Sequence, residues 1–355
     1  MDNSKCFNKF GYYSERNKTL FLFSILLIFF VSCNSKKEND AIQTSGKTNE
    51  VSVIIDDQLW NGEVGDSIRN KFASPVVGLP QEEPLFTLNQ FPVKLLEGFM
   101  TNKRNIIVVK KEAKSQFRIE NNEFATPQIV VHISGKTVQE LLDTIQANDS
   151  LIIDKIKQSE IKIYQKKIKR DSLIDTKKIT QKFNIKIDVP QKYRIVLNGK
   201  KFIWLKKEIT SGNLSLIFYQ VPLNSIKNDN KSISRITKIR DSIGRRFIHG
   251  AVPNTRMITE TAFSPYLSKT KVFGKEAFET RGNWELVHDY MGGPFINYAI
   301  IDKTNNRIMI IEGFCYAPSK QKRDLMFELE AIIKSVQFLN KKQDEGNNKL
   351  DNKAF

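Results

Sequence analysis

The chain has 355 residues, with 56 basic against 39 acidic side chains and a formal net charge of +17. The excess is mostly lysine scattered through every segment. No zinc spacing, helix-turn-helix signature or aromatic RNA-binding motif accompanies it, so the sequence argues against a nucleic-acid partner and leaves attraction to another anionic surface. A hydrophobic content of 40% with 24 Phe is enough for a packed core, in one large or two ordinary domains.

Leu20 to Val31 reads LFLFSILLIFFV, with one polar member, and is preceded by Arg16 and Lys18. A basic start, a short apolar run and a small residue at its end are the parts of a secretory signal. At about 1.5 Å per residue the run spans roughly 18 Å, short of the roughly 30 Å hydrocarbon core, so it is expected to be cleaved off rather than to stay as a membrane helix. Phe30, Val31 and Ser32 lead straight into Cys33, a stretch that resembles the bacterial lipobox, with Phe30 where a leucine is usual. Residues 1–32 are thus expected to be the signal peptide and Cys33 the lipidated new N-terminus. Cys6 then leaves with the signal, and Cys315 has no partner for an internal bridge. Three acyl chains would hold firmly, since each buried methylene contributes about 0.8 kcal/mol.

Residues 33–50 are polar or small apart from a single Ile after the cysteine, and are expected to form a disordered tether. Folding is expected from residue 51. VSVIIDD (51–57) reads as a strand; the next stretch reads as one helix to Phe72, capped by Asp57, with Trp60, Val64, Ile68 and Phe72 on one face. GLPQEEPLF (78–86) is extended between its prolines, FPVKLLEGF suggests a short helix, and NIIVVKK (105–111) and QIVVHIS (128–134) are neighbouring strands. From Thr137 a long amphipathic helix runs to about Arg170, or two with a break near Asn148; its outer face bristles with lysine.

Past Ile185 the pattern becomes strands joined by polar turns: KIDVP, YRIVLN, KFIWLKKEI (201–209) and LSLIFYQVPL (214–223). A helix follows, capped by Ser232 with Ile236, Ile239, Ile243 and Phe247 inward, then a meander and a closing helix, KRDLMFELEAIIKSVQF. The expected class is α+β, with two sheet-and-helix halves and largely antiparallel sheets: an N-terminal half over 51–180 ending in the long helix, a C-terminal half over 181–338, and a polar tail over 339–355.

GLPQEEPLF (78–86), KRN followed by IIVV (103–109), PQ (127–128), FIWLKKE (202–208), TRGNWELVHDYMGGPF (280–295) and EGFCYAP followed by KRDLMFELEAI (312–332) occur in order. Together they resemble a family of Gram-negative envelope lipoproteins catalogued as domain of unknown function 4837, over about residues 50–338. Asn283 stands where that family usually has leucine. The resemblance implies a secreted, lipid-anchored protein and carries no reaction with it. The C-terminal meander and helix are also similar to the photosystem-associated PsbP-like fold, in architecture alone.

Candidate sites are few. Glu82 and Glu83, between Pro80 and Pro84, are paired acids of the kind that serve acid–base chemistry, or a rigid loop whose acids meet lysines. His288 and Asp289 are adjacent on a strand and so cannot form a pair with each other, and the following Gly-Gly-Pro reads as a hairpin turn. Arg281, Trp284 and Glu285, with Lys322 and Arg323, are the residue types of a binding groove, although a strand Trp is more often core. The three histidines, His132, His249 and His288, lack metal-ligand spacing, so no metal and no cofactor is expected. Cys315, between Phe314 and Tyr316, reads as an inert core thiol. The functional expectation is a non-catalytic binding or assembly module in the cell envelope, held to a membrane (the outer one favoured) through its lipid, with a protein, glycan or lipid partner. The alternative is a hydrolase acting on an envelope polymer through Glu82 or Glu83 with His288.

Overall fold

The computed structural model describes residues 42–96 and 98–339. The signal peptide, Cys33 and most of the polar tail lie outside the described residues. Residues 42–50, expected in the tether, are instead fastened down: the Thr126 amide donates to the Ile42 carbonyl at 2.8 Å and the Ser45 amide to the Asn102 carbonyl at 2.8 Å. Main-chain pairing replaces the side-chain burial this segment lacks, which composition alone does not register.

The N-terminal part opens with β1 (Glu50–Ile55), then two helices, α1 (Asp57–Trp60) and α2 (Glu63–Phe72). The single helix expected here breaks at Asn61 and Gly62, and Asp56 rather than Asp57 precedes the first turn. Gly65 permits that tight corner, because a Cβ there would sit 1.8 Å from the Trp60 carbonyl oxygen. Val64, Ile68 and Phe72 still face inward. There follow β2 (Thr87–Phe91), two short 3-10 turns at Val93–Leu95 and Gly98–Asn102, β3 (Asn105–Lys111), β4 (Gln116–Asn121) and β5 (Ile129–Gly135). The five strands form a sheet in the order β2-β1-β3-β5-β4. Here β1 runs parallel to β2 and β3, and β3 parallel to β5; β4 alone is antiparallel. Such strands are covered on both faces, hence the near-continuous apolar runs VSVII and IIVV. Ile107, Val109 and Val131 pack under α2, while Ile106, Val108 and Val130 form a second layer with Met100 on the opposite face.

Helix α3 (Val138–Asp171) links the two parts. Thr137 caps it, its hydroxyl accepting from the Glu140 amide at 3.1 Å. No break occurs at Asn148, whose side-chain amide donates to the Thr144 carbonyl at 2.8 Å and so is satisfied within the helix. Its first half packs Leu141, Ile145, Ile152 and Ile156 on the small sheet. Its second half places Ile161 against Phe327 and Ala331 and Ile168 in the larger core. The buried arc rotates partway along because the helix leaves one core and enters another.

Beyond it come α4 (Lys177–Phe183), β6 (Ile185–Lys186), β7 (Arg194–Gly199), β8 (Phe202–Ile209), β9 (Gly212–Pro222), α5 (Ser232–Phe247), β10 (Arg256–Thr259), β11 (Tyr266–Val272), β12 (Lys275–Val287), β13 (Gly292–Asp302), β14 (Arg307–Tyr316), α6 (Arg323–Ile333) and β15 (Gln337–Phe338). Strands β10-β12-β13-β14-β9-β8-β7, with β11 on the free part of the β12 edge, make an eight-stranded sheet. Every pairing in it is antiparallel. The α+β class with largely antiparallel sheets therefore holds for the chain, and the small sheet is its parallel exception. Helices cover the large sheet on both faces: α6 and α4 over Leu216, Phe218, Tyr298 and Ile311, and α5 over Ile217, Tyr219, Phe295 and Ile310. Strand β15 pairs with β6 and ties the end of α6 back to α4.

Candidate functional site

The loop expected to carry paired acids reaches across to the C-terminal half. Gly78, at φ +82°, lies so close to β12 that a Cβ would meet Arg281 Cβ at 2.8 Å, and Leu79 packs into the large core. Glu83 is buried, and its two carboxylate oxygens accept from the main-chain amides of Lys322 at 2.6 Å and Arg323 at 2.9 Å. These are orphan donors at the start of α6, a helix with no side-chain cap of its own. The Arg323 guanidinium returns to the Pro84 carbonyl at 3.1 Å and the Thr87 hydroxyl at 3.0 Å, and Asn49 donates to Asp324 at 3.0 Å. Glu83 is thus a helix cap supplied from the other half of the molecule, whereas Glu82 next to it is exposed.

Arg281 holds the middle of the same helix. Its Nε meets Glu279 at 2.6 Å and its terminal nitrogen Glu330 at 2.7 Å; Tyr298 donates to Glu279 at 2.8 Å, and Lys334 pairs with Glu330 at 2.6 Å. Burial alone would drive the Glu330 carboxyl up, but Arg281, Lys334 and Lys157 hold it well below the usual carboxylate range. Burial likewise opposes charge on Arg281 and is outweighed by Glu330 and Glu279, while it pushes the Tyr298 phenol up together with those carboxylates.

The other expected residues do not join this cluster. Trp284 is three positions from Arg281 on one strand, so the two project from opposite faces of the sheet. Its indole N–H donates to the Cys315 carbonyl at 3.2 Å and its ring lies edge-on to Phe314 at 5.5 Å, inside the core under α5. That removes it from any groove shared with Arg281. Glu285 is half-buried further along β12, and His288 is exposed in the β12–β13 turn at φ +64°. Among the described residues no hydrogen bond or ion pair joins Glu82, Glu83 and His288. Cys315 is buried, and burial pushes its thiol up to about 12.

Two features stand apart from the expected site. Arg240 of α5 is buried against Glu312 at 2.9 Å, donates to the Thr259 hydroxyl at 2.9 Å and lies 3.8 Å over the Phe295 ring. Asn297 donates to the second Glu312 oxygen at 2.8 Å. A lone acid within RIMIIEGFCY is the signal that could have found this pair. The second feature is the outer face of α3, where residues 155–170 hold seven basic side chains and one acid, Glu160, which is buried. Glu160 accepts from Asn105 at 2.7 Å and lies 3.3 Å from Arg104; burial nevertheless raises its carboxyl. A groove of about 860 Å³ runs between α3, residues 43–48 and α6, another of about 810 Å³ lies on the Glu330 side, and a hollow of about 190 Å³ sits between α3 and the β4–β5 turn.

Fold and site define a two-part α+β protein whose halves are joined by a shared helix and a cap, with an arginine clamp inside the C-terminal half and a basic helix face left to solvent. Residues 171–335 match the model of the family described as Domain of unknown function (DUF4837). Residues 44–169 match a separate model, Domain of unknown function (DUF8532), so the likeness expected from about residue 50 onward is divided between two families. No curated protein matches. Among solved structures, the crystal structure of LpqN, involved in cell envelope biogenesis of Mycobacterium tuberculosis, is similar with a TM-score of 0.27 and 8% identity, covering 44% of this chain and 83% of that chain. No helix among the described residues is long and apolar enough to cross a membrane.

Proposed function

We propose that this protein is a non-catalytic binding module of the cell envelope, tethered to a membrane through lipid on Cys33. It presents the face built by α3 and α6 to its partner. The observation that carries the reading is the disposition of polar groups. The acid best placed for chemistry, Glu83, spends both oxygens on capping α6, and Arg281 is held between two carboxylates. The unspent charge lies on the exposed face of α3, beside grooves large enough for a partner's side chains or headgroups. The signal-like segment and the cysteine that follows it support the envelope address. Chemical crosslinking in intact cells, followed by mapping of the crosslinked peptides, tests this. Crosslinks are expected at α3 lysines; crosslinks confined to the β12–β13 turn, or release of fragments from an envelope polymer by the purified protein, would favour the hydrolase instead.

A further inference from the structure

We propose that the second half of α3 is the face this protein lays against an anionic phospholipid surface, with the hollow between Lys155, Lys162 and Lys166 receiving a headgroup phosphate. The inference deepens the tethered reading by naming the partner, and it rests on that reading for what holds the bilayer nearby. At 100° per residue, Lys155, Lys162, Lys166, Lys169 and Arg170 fall within an arc of roughly 100°, and all five are exposed. Leu151, 46% exposed, lies on the same arc one turn earlier and adds an apolar contact of the kind an interfacial helix uses.

The hollow differs from its neighbours in charge. The groove of about 860 Å³ contains Glu160, Asp324 and Glu328, and the one of about 810 Å³ contains Asp154, Glu279 and Glu330. The hollow of about 190 Å³ has no acid in its lining: the three lysines face Asn121, Asn122 and Gln128 across it. None of those lysines has an ion-pair partner among the described residues. The Gln128 side-chain amide is spent on the Thr101 and Lys103 carbonyls, so the donors for phosphate oxygens are the three convergent ammonium groups, opposite Asn121 and Asn122.

The path of the chain brings a bilayer to this place. Ile42, where the described chain begins, pairs with Thr126, and Thr126 directly precedes Pro127 on the rim of the hollow. Nine residue steps lead from Cys33 to Ile42, a tether that reaches about 30 Å at full extension. A lipid-held sulfur within that distance supplies one membrane signal and the basic stripe the second, the combination that makes anchoring stable. Each lysine near an anionic surface strengthens attachment about fivefold, so three contribute about a hundredfold.

The test uses the mature full chain in vesicles of phosphatidylcholine with and without phosphatidylglycerol. A fluorophore placed at Leu151→Cys, with Tyr290→Cys as a control on the β12–β13 turn, is read by quenching from headgroup-labelled lipid. Strong quenching at position 151 that appears with phosphatidylglycerol, vanishes at high salt and is lost in K155E/K162E/K166E is expected, with position 290 unchanged; the milder K155Q/K162Q/K166Q should show a partial loss. Quenching at position 151 that ignores phosphatidylglycerol or both triple variants overturns the docking face, as does a preference for soluble anionic polysaccharide over vesicles. Mass spectrometry of Cys33 in the same samples separates the two ideas. If no acyl chain is found, the tether reading fails, and sedimentation of that protein with phosphatidylglycerol vesicles still reads the face, where K155Q/K162Q/K166Q should weaken partition about a hundredfold and K155E/K162E/K166E by more.

Discussion

Glu83 closes the helix that begins after Lys322: its carboxylate accepts the Lys322 amide at 2.6 Å from 239 residues away in sequence, and the neighbouring Arg323 amide at 2.9 Å. The charge sits on the positive end of the helix dipole, where a carboxylate is most favourable. One side chain thereby serves both as cap and as latch between the halves.

Replacing Glu83 with Ala should cost about 2 kcal/mol, the upper range for a lost cap, because the amides it leaves are buried. Gly78→Ala, which pushes the same loop off Arg281, should cost a similar amount, and the double variant less than the sum, since either change alone releases the latch. Urea denaturation of the two single variants and the double variant measures the coupling; strict additivity would mean that the loop and the cap act independently.

Glu330 ties stability to acid. Its folded-state carboxyl is held well below the usual range, so its contribution is present above the ordinary carboxylate pKa and disappears as pH falls through the folded value. Glu330→Gln should therefore cost about 3 kcal/mol at pH 7 by leaving Arg281 and Lys334 under-compensated, with the gap to wild type closing only in strong acid. Denaturation midpoints across pH 7 to 2 check this; a gap that is constant with pH would contradict it.

The Arg240–Glu312 pair makes a different prediction. Arg240→Met alone strands a buried carboxylate and should cost about 4 kcal/mol, while Arg240→Met with Glu312→Leu should recover most of that loss. Burial raises the Glu312 carboxyl despite Arg240, so in Arg240→Met the loss should grow as pH rises above the ordinary carboxylate range. Thermal melts at two pH values for both variants decide it.

Much of this architecture could be read from the residues. The long helix from Thr137, the α5 face of Ile236, Ile239, Ile243 and Phe247, and strands β8, β9, β12, β13 and β14 follow hydrophobic period and turn chemistry, whereas β10 and β11, short and half-exposed, do not. The parallel pairing of β1, β2 and β3 was not legible in the same way. A strand buried on both faces shows no alternation, and β2, TLNQF, is an edge strand whose main-chain pairing leaves no apolar trace. The site was less legible still. The partners of Glu83, the Lys322 and Arg323 amides, lie in the other half, and helix caps from distant loops have no local spacing; Glu330 meets Arg281 from a separate helix 49 residues on. Trp284 was grouped with Arg281 against the two-residue period of a strand, which sends them to opposite faces.

Cys315 should be silent toward thiol reagents in the folded protein at pH 8, because its thiol is pushed up to about 12 and is buried, and it should react fully once the chain is unfolded. Colorimetric thiol titration with and without denaturant reads this; fast reaction in native buffer would show that the β14 end opens.

The account turns on what the Cys33 sulfur carries. Growth of the source cells with labelled palmitate, followed by isolation of the protein, should give label in the wild type and none in Cys33→Ser, with the substituted chain retaining residues 1–32. A wild-type protein that takes up no label, or a Cys33→Ser chain processed and membrane-held as before, would contradict it.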